Sequence, residues 1–394
     1  MEQYILIYPH VKSYLNADGS MYAELGKYLY GLQEAPFEFN QLLTFELLGM
    51  GFVQSRSDKC LFYKKTSQGI ILICTHVDDI LIASPTKELQ QLIEAQLKQK
   101  FDISSQYDNL SYLGLNITKD TDKNTIRVNQ QGYIDNLLNK YNMKPIKKFP
   151  STPAALDLME EASEEETKLN EEDKKRYKSI IMALMYLGRF TRSDILLPVS
   201  YLATKSAEPT DRNMQQLYRI LRYLQGTRNV GINIHNPTME LQAFVDASHI
   251  SHPDGHGHGG LILSLGSSPI YSRSWKLKSV TRSSSETELI ALEDSVTFVI
   301  WTRELLREIG QLEKEPTTIF QDNKSTIILA MQGGNFKRTK HLLCKESYVR
   351  EKLNNNEITL RYLPTINMLA DYLTKPVPRQ VLNHLTKLAK VISN

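Results

Sequence analysis

The chain has 394 residues, too many for one ordinary hydrophobic core, so two or three domains are expected. Its 41% hydrophobic and 23% charged residues are typical of a soluble globular protein, and the net charge of +3 only weakly indicates a polyanionic partner. Widely spaced Cys60, Cys74 and Cys344 exclude a disulfide framework, and neither a secretory signal nor a membrane-spanning apolar run is seen.

The first 150 residues mix strand and helix patterns. The run IILICTHVDDILIAS has two apolar, β-rich halves around a polar centre, which predicts a β-hairpin. A helix is predicted at 86–100, a strand pair at YLGLNITKD and NTIRVNQ, and a helix at 132–140. At the hairpin centre, Asp78 and Asp79 form either an ordinary polar turn or a polymerase metal site, and the local pattern does not decide between them.

The middle of the chain begins with EEASEEETKLNEEDKKR, which is charged and nearly free of large apolar residues. We interpret residues 151–176 as a surface linker or solvated helix and place a domain boundary there. Helices are predicted at 180–190, 196–205 and 212–224, the last ending near Gly226.

The last part, from about residue 239, has the predicted order β-β-β-α-β-α-α-β-α. HPDGHGHGG is predicted to be a turn, the long helix ends at Gly310, and NMLADYLTKP is predicted to be the final helix. Three antiparallel strands followed by alternating elements predict a mixed sheet with helices packed on it, an α/β (α+β) fold.

Two acidic residues of this part follow predicted strands. Asp246 ends the strand LQAFVDAS beside Phe244 on one face, where a carboxylate is costly unless it is paired or bound to a metal. The alternative for Asp246 is a solvated position at the strand end. Asp322 ends the strand TTIFQD, and its alternative role is the N-cap of the next helix.

Glu288 and Asp371 lie in predicted helical segments. At 100° per residue Glu288 borders the apolar stripe of its helix, whereas Glu286 points to the far side. Glu288 could instead close a capping box with Ser285, and Asp371 could be a surface acid near a helix start. Four converging carboxylates would repel one another, and Mg²⁺ or Mn²⁺ would relieve that repulsion and support phosphoester hydrolysis.

The motifs VDAS, TELIAL, QDNKST, RTKHLLCKESYVREKL and RYLPTINMLADYLTKP resemble the ribonuclease H domain of copia-type LTR retrotransposons. The resemblance covers the whole C-terminal domain, 239–394. It implies that Asp246, Glu288, Asp322 and Asp371 are the metal ligands and that the substrate is an RNA–DNA hybrid, recognised through 2′-hydroxyls and backbone.

The N-terminal half resembles the reverse transcriptase of the same elements through LYGLQEAP, SDKCLFYKK, HVDDILIAS and YLGLNITKD. LGRFTRSDI and LRYLQGT are similar to the family's segment leading into ribonuclease H. The implied architecture is a partial palm and thumb at 1–150, a helical connection at 151–238 and the nuclease at 239–394. The resemblance also implies that Asp78 and Asp79 are two of three catalytic, Mg²⁺-binding aspartates acting on a template–primer.

Several positions depart from the family pattern. His76 replaces a Tyr, Gln33 and Glu34 replace Lys and Gln, and Leu343 replaces an acidic residue. The family's third aspartate belongs to a strand upstream of the residue matching Met1, and Asp18, in a turn signal, is a poor substitute. We therefore expect that this half does not polymerise DNA by itself.

Histidines of the C-terminal part offer a further candidate site. His249, His252, His256 and His258 could bind zinc, but their glycine-rich setting and the lack of a cysteine favour a turn. His341 could assist the nuclease site or pack, and we favour packing.

Three readings of the whole chain follow. The first is a retrotransposon Pol fragment with hybrid-specific ribonuclease activity, with other Pol or Gag products as further partners, no membrane partner, and a cytoplasmic, virus-like-particle or nuclear location. The second is a catalytically dead relic or a domesticated nucleic-acid-binding protein. The third, a cellular nuclease or structural protein unrelated to mobile elements, is disfavoured by the N-terminal resemblance.

Overall fold

The computed structural model describes residues 16, 18, 20, 31–120, 122, 124–160, 166–235, 238–311, 315–333 and 340–392. The described helices are α1 Ala35–Gly49, α2 Lys87–Lys98, α3 Gln131–Lys140, α4 Glu171–Phe190, α5 Leu196–Ala203, α6 Asp211–Gly226, α7 Ser284–Glu308, α8 Lys324–Gln332, α9 Lys340–Asn354 and α10 Arg379–Leu388. The strands are β1 Val53–Gln54, β2 Leu61–Thr66, β3 Gly69–His76, β4 Asp79–Ala83, β5 Asn109–Tyr112, β6 Leu115–Asp120, β7 Thr125–Asn129, β8 Gly231–His235, β9 Leu241–Ser248, β10 His256–Leu265, β11 Ser268–Val280, β12 Thr317–Gln321, β13 Ile358–Tyr362 and β14 Val391–Ile392.

The chain divides into two compact units, Met1–Leu92 and Ile93–Asn394. In the first unit, β1 to β4 form an antiparallel sheet in chain order. The predicted hairpin at 70–84 is confirmed, because β3 and β4 pair from Leu72 with Ala83 to His76 with Asp79. None of the described helices is long and apolar enough to cross a membrane.

A helical core occupies the first half of the second unit. Residues of α3, α4, α5 and α6 bury their apolar stripes against one another, including Ile134, Leu184 and Leu217. Asn170 caps α4 by accepting a hydrogen bond from the Asp173 amide, as its side-chain type favours. Beside these helices runs a sheet in the order β14-β8-β7-β6-β5.

The interpretation of residues 151–176 as a surface linker or solvated helix is only partly correct. Ala154, Leu158 and Leu169 are buried in the helical core, because scattered apolar residues suffice to dock a mostly charged segment. The charged run contributes the first turn of α4, where Glu171, Glu172 and Asp173 lie at the positive end of the helix dipole. The domain boundaries after residues 150 and 238 stay predictions.

The C-terminal half of the second unit contains a mixed sheet in the order β11-β10-β9-β12-β13. β9, β10 and β11 are antiparallel, whereas β12 is parallel to both β9 and β13. The long helix α7 packs on β9 and against α9, with further contacts to α8 and β10, and α10 is the other helix of this half. The predicted mixed sheet with helices packed on it is confirmed.

Two predicted elements of this half are wrong. HPDGHGHGG is a turn only as far as Gly255, and β10 begins at His256 because the following residues pair with both β9 and β11. NMLADYLTKP is not a helix: Asp371–Leu373 form a single 3₁₀ turn, and Asn367 ends another one at Thr365–Asn367. Pro376 and Pro378 lack the backbone N–H that a continuing helix needs, and the last helix, α10, begins after them.

Candidate metal centre

Asp246 and Asp322 come together because two neighbouring parallel strands carry them. Phe244 of β9 is in register with Phe320 of β12, and their rings stack 4.9 Å apart. Each aspartate lies two residues beyond its phenylalanine. Since side chains alternate with a period of two, both carboxylates emerge at the same end of the sheet and on matching sides.

Glu288 reaches this end of the sheet from the first turns of α7. It is 5% exposed, whereas Glu286 is only partly buried, as the helical phase predicts. The capping role falls to Ser283, whose hydroxyl accepts from the Glu286 amide, while Glu286 accepts from the Arg282 amide. The alternative that Glu288 caps the helix with Ser285 is therefore wrong, and the Glu288 carboxylate faces the sheet.

The three carboxylates form one cluster. Asp246, Glu288 and Asp322 each offer an oxygen, and these oxygens lie within 4.8 Å of one another. Burial raises the pKa of Asp246 to about 7, with a further contribution from the charge of Asp322. Burial, and then the charges of Asp246 and Asp322, raise the pKa of Glu288 well above its ordinary value. Hard oxygen donors that repel one another in this way fit a divalent cation such as Mg²⁺.

Neutral side chains hold the carboxylates in place. Thr374 donates its hydroxyl to Asp246 at 2.6 Å, and Thr365 donates to Asp322 at 2.7 Å. The buried Gln321 donates to Glu288 at 3.2 Å and accepts from the Asp322 amide at 2.8 Å. No local sequence pattern indicates this role for Thr365 or Thr374. The one local signal was for Gln321, a polar residue that directly follows Ile319 and Phe320 and precedes a candidate ligand.

The alternative role of Asp322 as a helix cap is also wrong. Asn323 is the N-cap of α8 and accepts from the amides of Ser325 and Thr326. Asp322 is thus left free to join the cluster.

Asp371 lies beside the cluster but is not one of the three grouped acids. It is buried and not a surface acid, and its carboxylate lies 2.6 Å from the ammonium of Lys375. Its charge nevertheless contributes to the raised pKa of Asp246. Burial would lower the pKa of Lys375, but the hydrogen bond and charge of Asp371 outweigh this and raise it.

The candidate zinc histidines do not converge on a metal position. His252 and His258 are buried and bond to each other through Nε2 and Nδ1 at 2.9 Å. His249 bonds to Thr281 and Thr287, and His256 lies next to Asp254. Within the described residues, the acidic cluster is the one group of three or more potential ligands, so the zinc alternative has no geometric support.

The second candidate site lies in the first unit. Asp78 and Asp79 are exposed at the β3–β4 turn, where Val77 adopts a left-handed φ of 50°. No third acid, histidine or cysteine joins them among the residues that the structure describes. His76 and Glu34 are exposed, as is Leu343 at the start of α9, while the side chain of His341 lies outside the described residues.

Comparisons with known proteins match both halves of the chain. Residues 1–153 match the family described as "Reverse transcriptase (RNA-dependent DNA polymerase)". The chain is 33% identical to the retrovirus-related Pol polyprotein from transposon RE1 of Arabidopsis thaliana, covering 90% of this chain and 24% of that protein. It is 32% identical to the one from transposon RE2 of the same plant, covering 93% and 25%.

Solved structures also match. Ribonuclease H1 from Halobacterium salinarum aligns with 34% of this chain and 93% of its own, at 16% identity and a TM-score of 0.25. The chain spans about a quarter of the length of the curated relatives named above.

Proposed function

Because the chain is related to copia-type retrotransposon Pol polyproteins over most of its length, we propose that residues 239–394 hydrolyse the RNA strand of RNA–DNA hybrids. One observation carries the proposal: three carboxylates from two adjacent strands and one helix place oxygens within 4.8 Å of one another. Such a cluster is electrostatically unfavourable alone and suits divalent-metal phosphoester chemistry.

Asp246, Glu288 and Asp322 would hold Mg²⁺ or Mn²⁺, and we propose Asp371 as the fourth ligand residue. When bound, the ions would neutralise the carboxylates and supply the activation of water and leaving oxygen that phosphoester hydrolysis needs. The protein's own part is to orient ligands: Thr374 and Gln321 donate to Asp246 and Glu288 and limit the rotation of their carboxylates.

Lys375 adds a positive charge to the site. Its ammonium contacts Asp371 and is influenced by the charges of Asp246 and Asp322. We propose that this ammonium attracts the backbone phosphates of the hybrid, which carry the charge that basic side chains recognise. Discrimination of the RNA strand would then rest on its 2′-hydroxyls.

For the N-terminal half we propose descent from an RNA-directed DNA polymerase with Asp78 and Asp79 as its metal ligands. The 394-residue chain is not expected to polymerise by itself, because no third acid joins this pair within the described residues and Glu34 adds negative charge. Template–primer nucleic acid and other Pol or Gag products are the partners that the relationship implies.

The test is cleavage of a hybrid whose RNA strand is labelled, with the full chain and Mg²⁺. We expect cleavage that stops with EDTA and returns with added Mg²⁺ or Mn²⁺. Asp246→Asn is expected to lower the rate at least about a hundredfold, since even partners of metal ligands cost ten- to a hundredfold.

Single-stranded RNA and duplex DNA serve as substrate controls. Hybrid binding without cleavage by the unmodified chain would establish the alternative, a non-catalytic nucleic-acid-binding relic. Equal cleavage by the unmodified chain and Asp246→Asn would overturn the site assignment.

A further inference from the structure

The 3₁₀ turn that carries Asp371 lies directly on one strand of the sheet. A Cβ at Gly260 of β10 would lie 2.8 Å from the Ala370 carbonyl oxygen, 2.8 Å from Thr374 Cγ2 and 2.9 Å from Leu373 Cβ. Only the absence of a side chain at Gly260 allows this approach. Residues 370–374, hereafter the acidic turn, thus rest on the backbone of β10.

The two strands that flank Gly260, β9 and β11, both bind the acidic turn. Gly260 is in register with Asp246 of β9 on one side and with Ser274 of β11 on the other. Thr374 donates to the Asp246 carboxylate at 2.6 Å, and Ser274 donates its hydroxyl to the Leu373 carbonyl at 2.7 Å. Three cross-strand neighbours therefore support one turn.

Ser274 belongs to a longer chain of hydrogen bonds, hereafter the relay, that consists of His252, His258 and Ser274. The bond that Ser274 donates to Leu373 determines which group donates at every other step of the relay. A carbonyl only accepts, so the single hydroxyl proton of Ser274 points to Leu373, and Ser274 Oγ must accept from His258 Nε2 at 2.7 Å. In a neutral ring Nδ1 of His258 is then the acceptor, and His252 Nε2 donates to it at 2.9 Å. A single tautomer, with the proton on Nε2 of both His252 and His258, satisfies every hydrogen bond of the relay.

Burial keeps this relay neutral and ordered. His258 is fully buried, and His252 and Ser274 are 3% and 8% exposed. Burial lowers the pKa of His252 to about 4 and that of His258 well below its ordinary value. Polar groups inside a sheet are costly unless each bond is made, so the relay favours one position of the Leu373 carbonyl.

We propose that Ser274 and His258 are positioning residues of the nuclease reaction. The relay from His252 ends at the Leu373 carbonyl and thereby fixes the position of the acidic turn. It thus also positions the carboxylate of Asp371 and the Thr374 hydroxyl that orients Asp246. The inference rests on the proposed function, since it concerns the same metal centre. None of the three relay residues touches a metal ligand directly.

The experiment compares Ser274→Ala with Ser272→Ala in the full chain. Ser272 lies two residues earlier on the same face of β11 and is buried to a similar extent, 6% against 8%. Three quantities are measured: the rise in Tm that Mg²⁺ produces without substrate, the half-saturating Mg²⁺ concentration of RNA cleavage, and the hybrid KM of RNA cleavage. All titrations are run well below the Tm of each variant.

We expect Ser274→Ala to raise the half-saturating Mg²⁺ concentration about three- to tenfold, as for other partners that orient metal ligands, while hybrid KM stays within twofold. The Mg²⁺-induced rise in Tm should shrink in the same variant. Ser272→Ala should keep wild-type values, and Ser274→Thr, which retains the hydroxyl, should restore the metal response.

A lower Tm of Ser274→Ala with an unchanged metal response would overturn the proposal, as would equal shifts in both alanine variants. A wild type that gains no stability from Mg²⁺ would overturn it as well. If Mg²⁺ stabilises the wild type but hybrid is not cut, the proposed function fails, while the Tm comparison still decides whether the relay positions the metal centre.

Discussion

At the scale of single residues, the charges of the acidic cluster oppose folding in the metal-free protein. Burial and the charge of Asp322 raise the pKa of Asp246 to about 7. Below that pH, the folded metal-free protein keeps this carboxyl group mostly protonated and neutral. Between the ordinary value of 3.8 and about 7 the folded state binds more protons than the unfolded state. Metal-free stability therefore falls as pH rises through this window and stays low above it.

The fall of metal-free stability with rising pH gives a prediction for Asp246→Asn in EDTA. At pH 8 the variant should be more stable than the wild type, by up to about 4 kcal/mol, because the buried charge is gone. At pH 4 the difference should vanish. Urea denaturation at both pH values measures it, and Mg²⁺ at pH 8 should raise the stability of the wild type far more than that of the variant.

The matched control is Asp254→Asn. Asp254 is paired with Lys276 and His256, and these hydrogen bonds hold its pKa well below its usual range. Its loss should lower stability slightly or leave it unchanged at pH 8. A gain in stability in both variants would show that removal of any one carboxylate charge stabilises the protein. Relief of repulsion within the acidic cluster would then not be the cause.

Helical phase gives a second prediction, with a control two residues away on the other side of the helix. Glu288→Gln keeps the hydrogen-bonding shape but removes a ligand charge, so Mg²⁺-dependent cleavage should fall at least about a hundredfold. Glu286→Gln alters only the contact with the Arg282 amide and should leave the rate within about twofold. Steady-state kinetics on a labelled hybrid separate the two, and equal losses would contradict the assignment of Glu288.

At the scale of elements, β10 determines whether the acidic turn can dock. Gly260→Ala places a methyl group 2.8 Å from the Ala370 carbonyl oxygen. Overpacking of this kind typically costs about 1–3 kcal/mol. The methyl group should also push the acidic turn away from β10. The cleavage rate should therefore fall by more than the loss of stability alone would explain.

Gly132 is a suitable comparison. It lies within α3, and a Cβ there meets nothing within 4 Å. Gly132→Ala should stabilise the protein by about 0.5–1 kcal/mol through helix propensity and leave cleavage unchanged. Thermal unfolding and the cleavage assay test both variants together, and a Gly260→Ala protein with wild-type activity would refute the close packing of the turn.

Most elements could be predicted because their signals are local. The period of α7, the turn between β3 and β4 and the stop at Gly310 follow from neighbouring side chains and backbone preferences. The acidic turn could not be recognised, because LADYL has a helix-like apolar pattern. Its short 3₁₀ form follows from nearby prolines and from contacts with β10 and β11.

At the scale of the whole molecule, the two candidate carboxylate sets lie in different compact units. Asp78 and Asp79 belong to Met1–Leu92, and the acidic cluster belongs to Ile93–Asn394. The double variant Asp78→Asn, Asp79→Asn should therefore keep hybrid cleavage within about twofold of wild type, as expected for independent sites.

The same preparations test the proposal for the N-terminal half. Neither the wild type nor the double variant should incorporate labelled nucleotide on a primed RNA template. Incorporation by the wild type alone would establish an active polymerase and assign it to Asp78 and Asp79. Loss of hybrid cleavage in the double variant would contradict the independence of the two sites.

The sequence by itself determined the order of the strands β9 to β13 and of the helices between them, the strand ends that carry Asp246 and Asp322, and the inward phase of Glu288. These depend on periodicities of two and 3.6 residues, which short segments contain in full. Only the tertiary structure decided that β9 and β12 pair in parallel register, that Lys375 contacts Asp371, and that His252, His258 and Ser274 support the acidic turn. The register and the relay join side chains up to about a hundred residues apart, and packing rather than local preference brings them together.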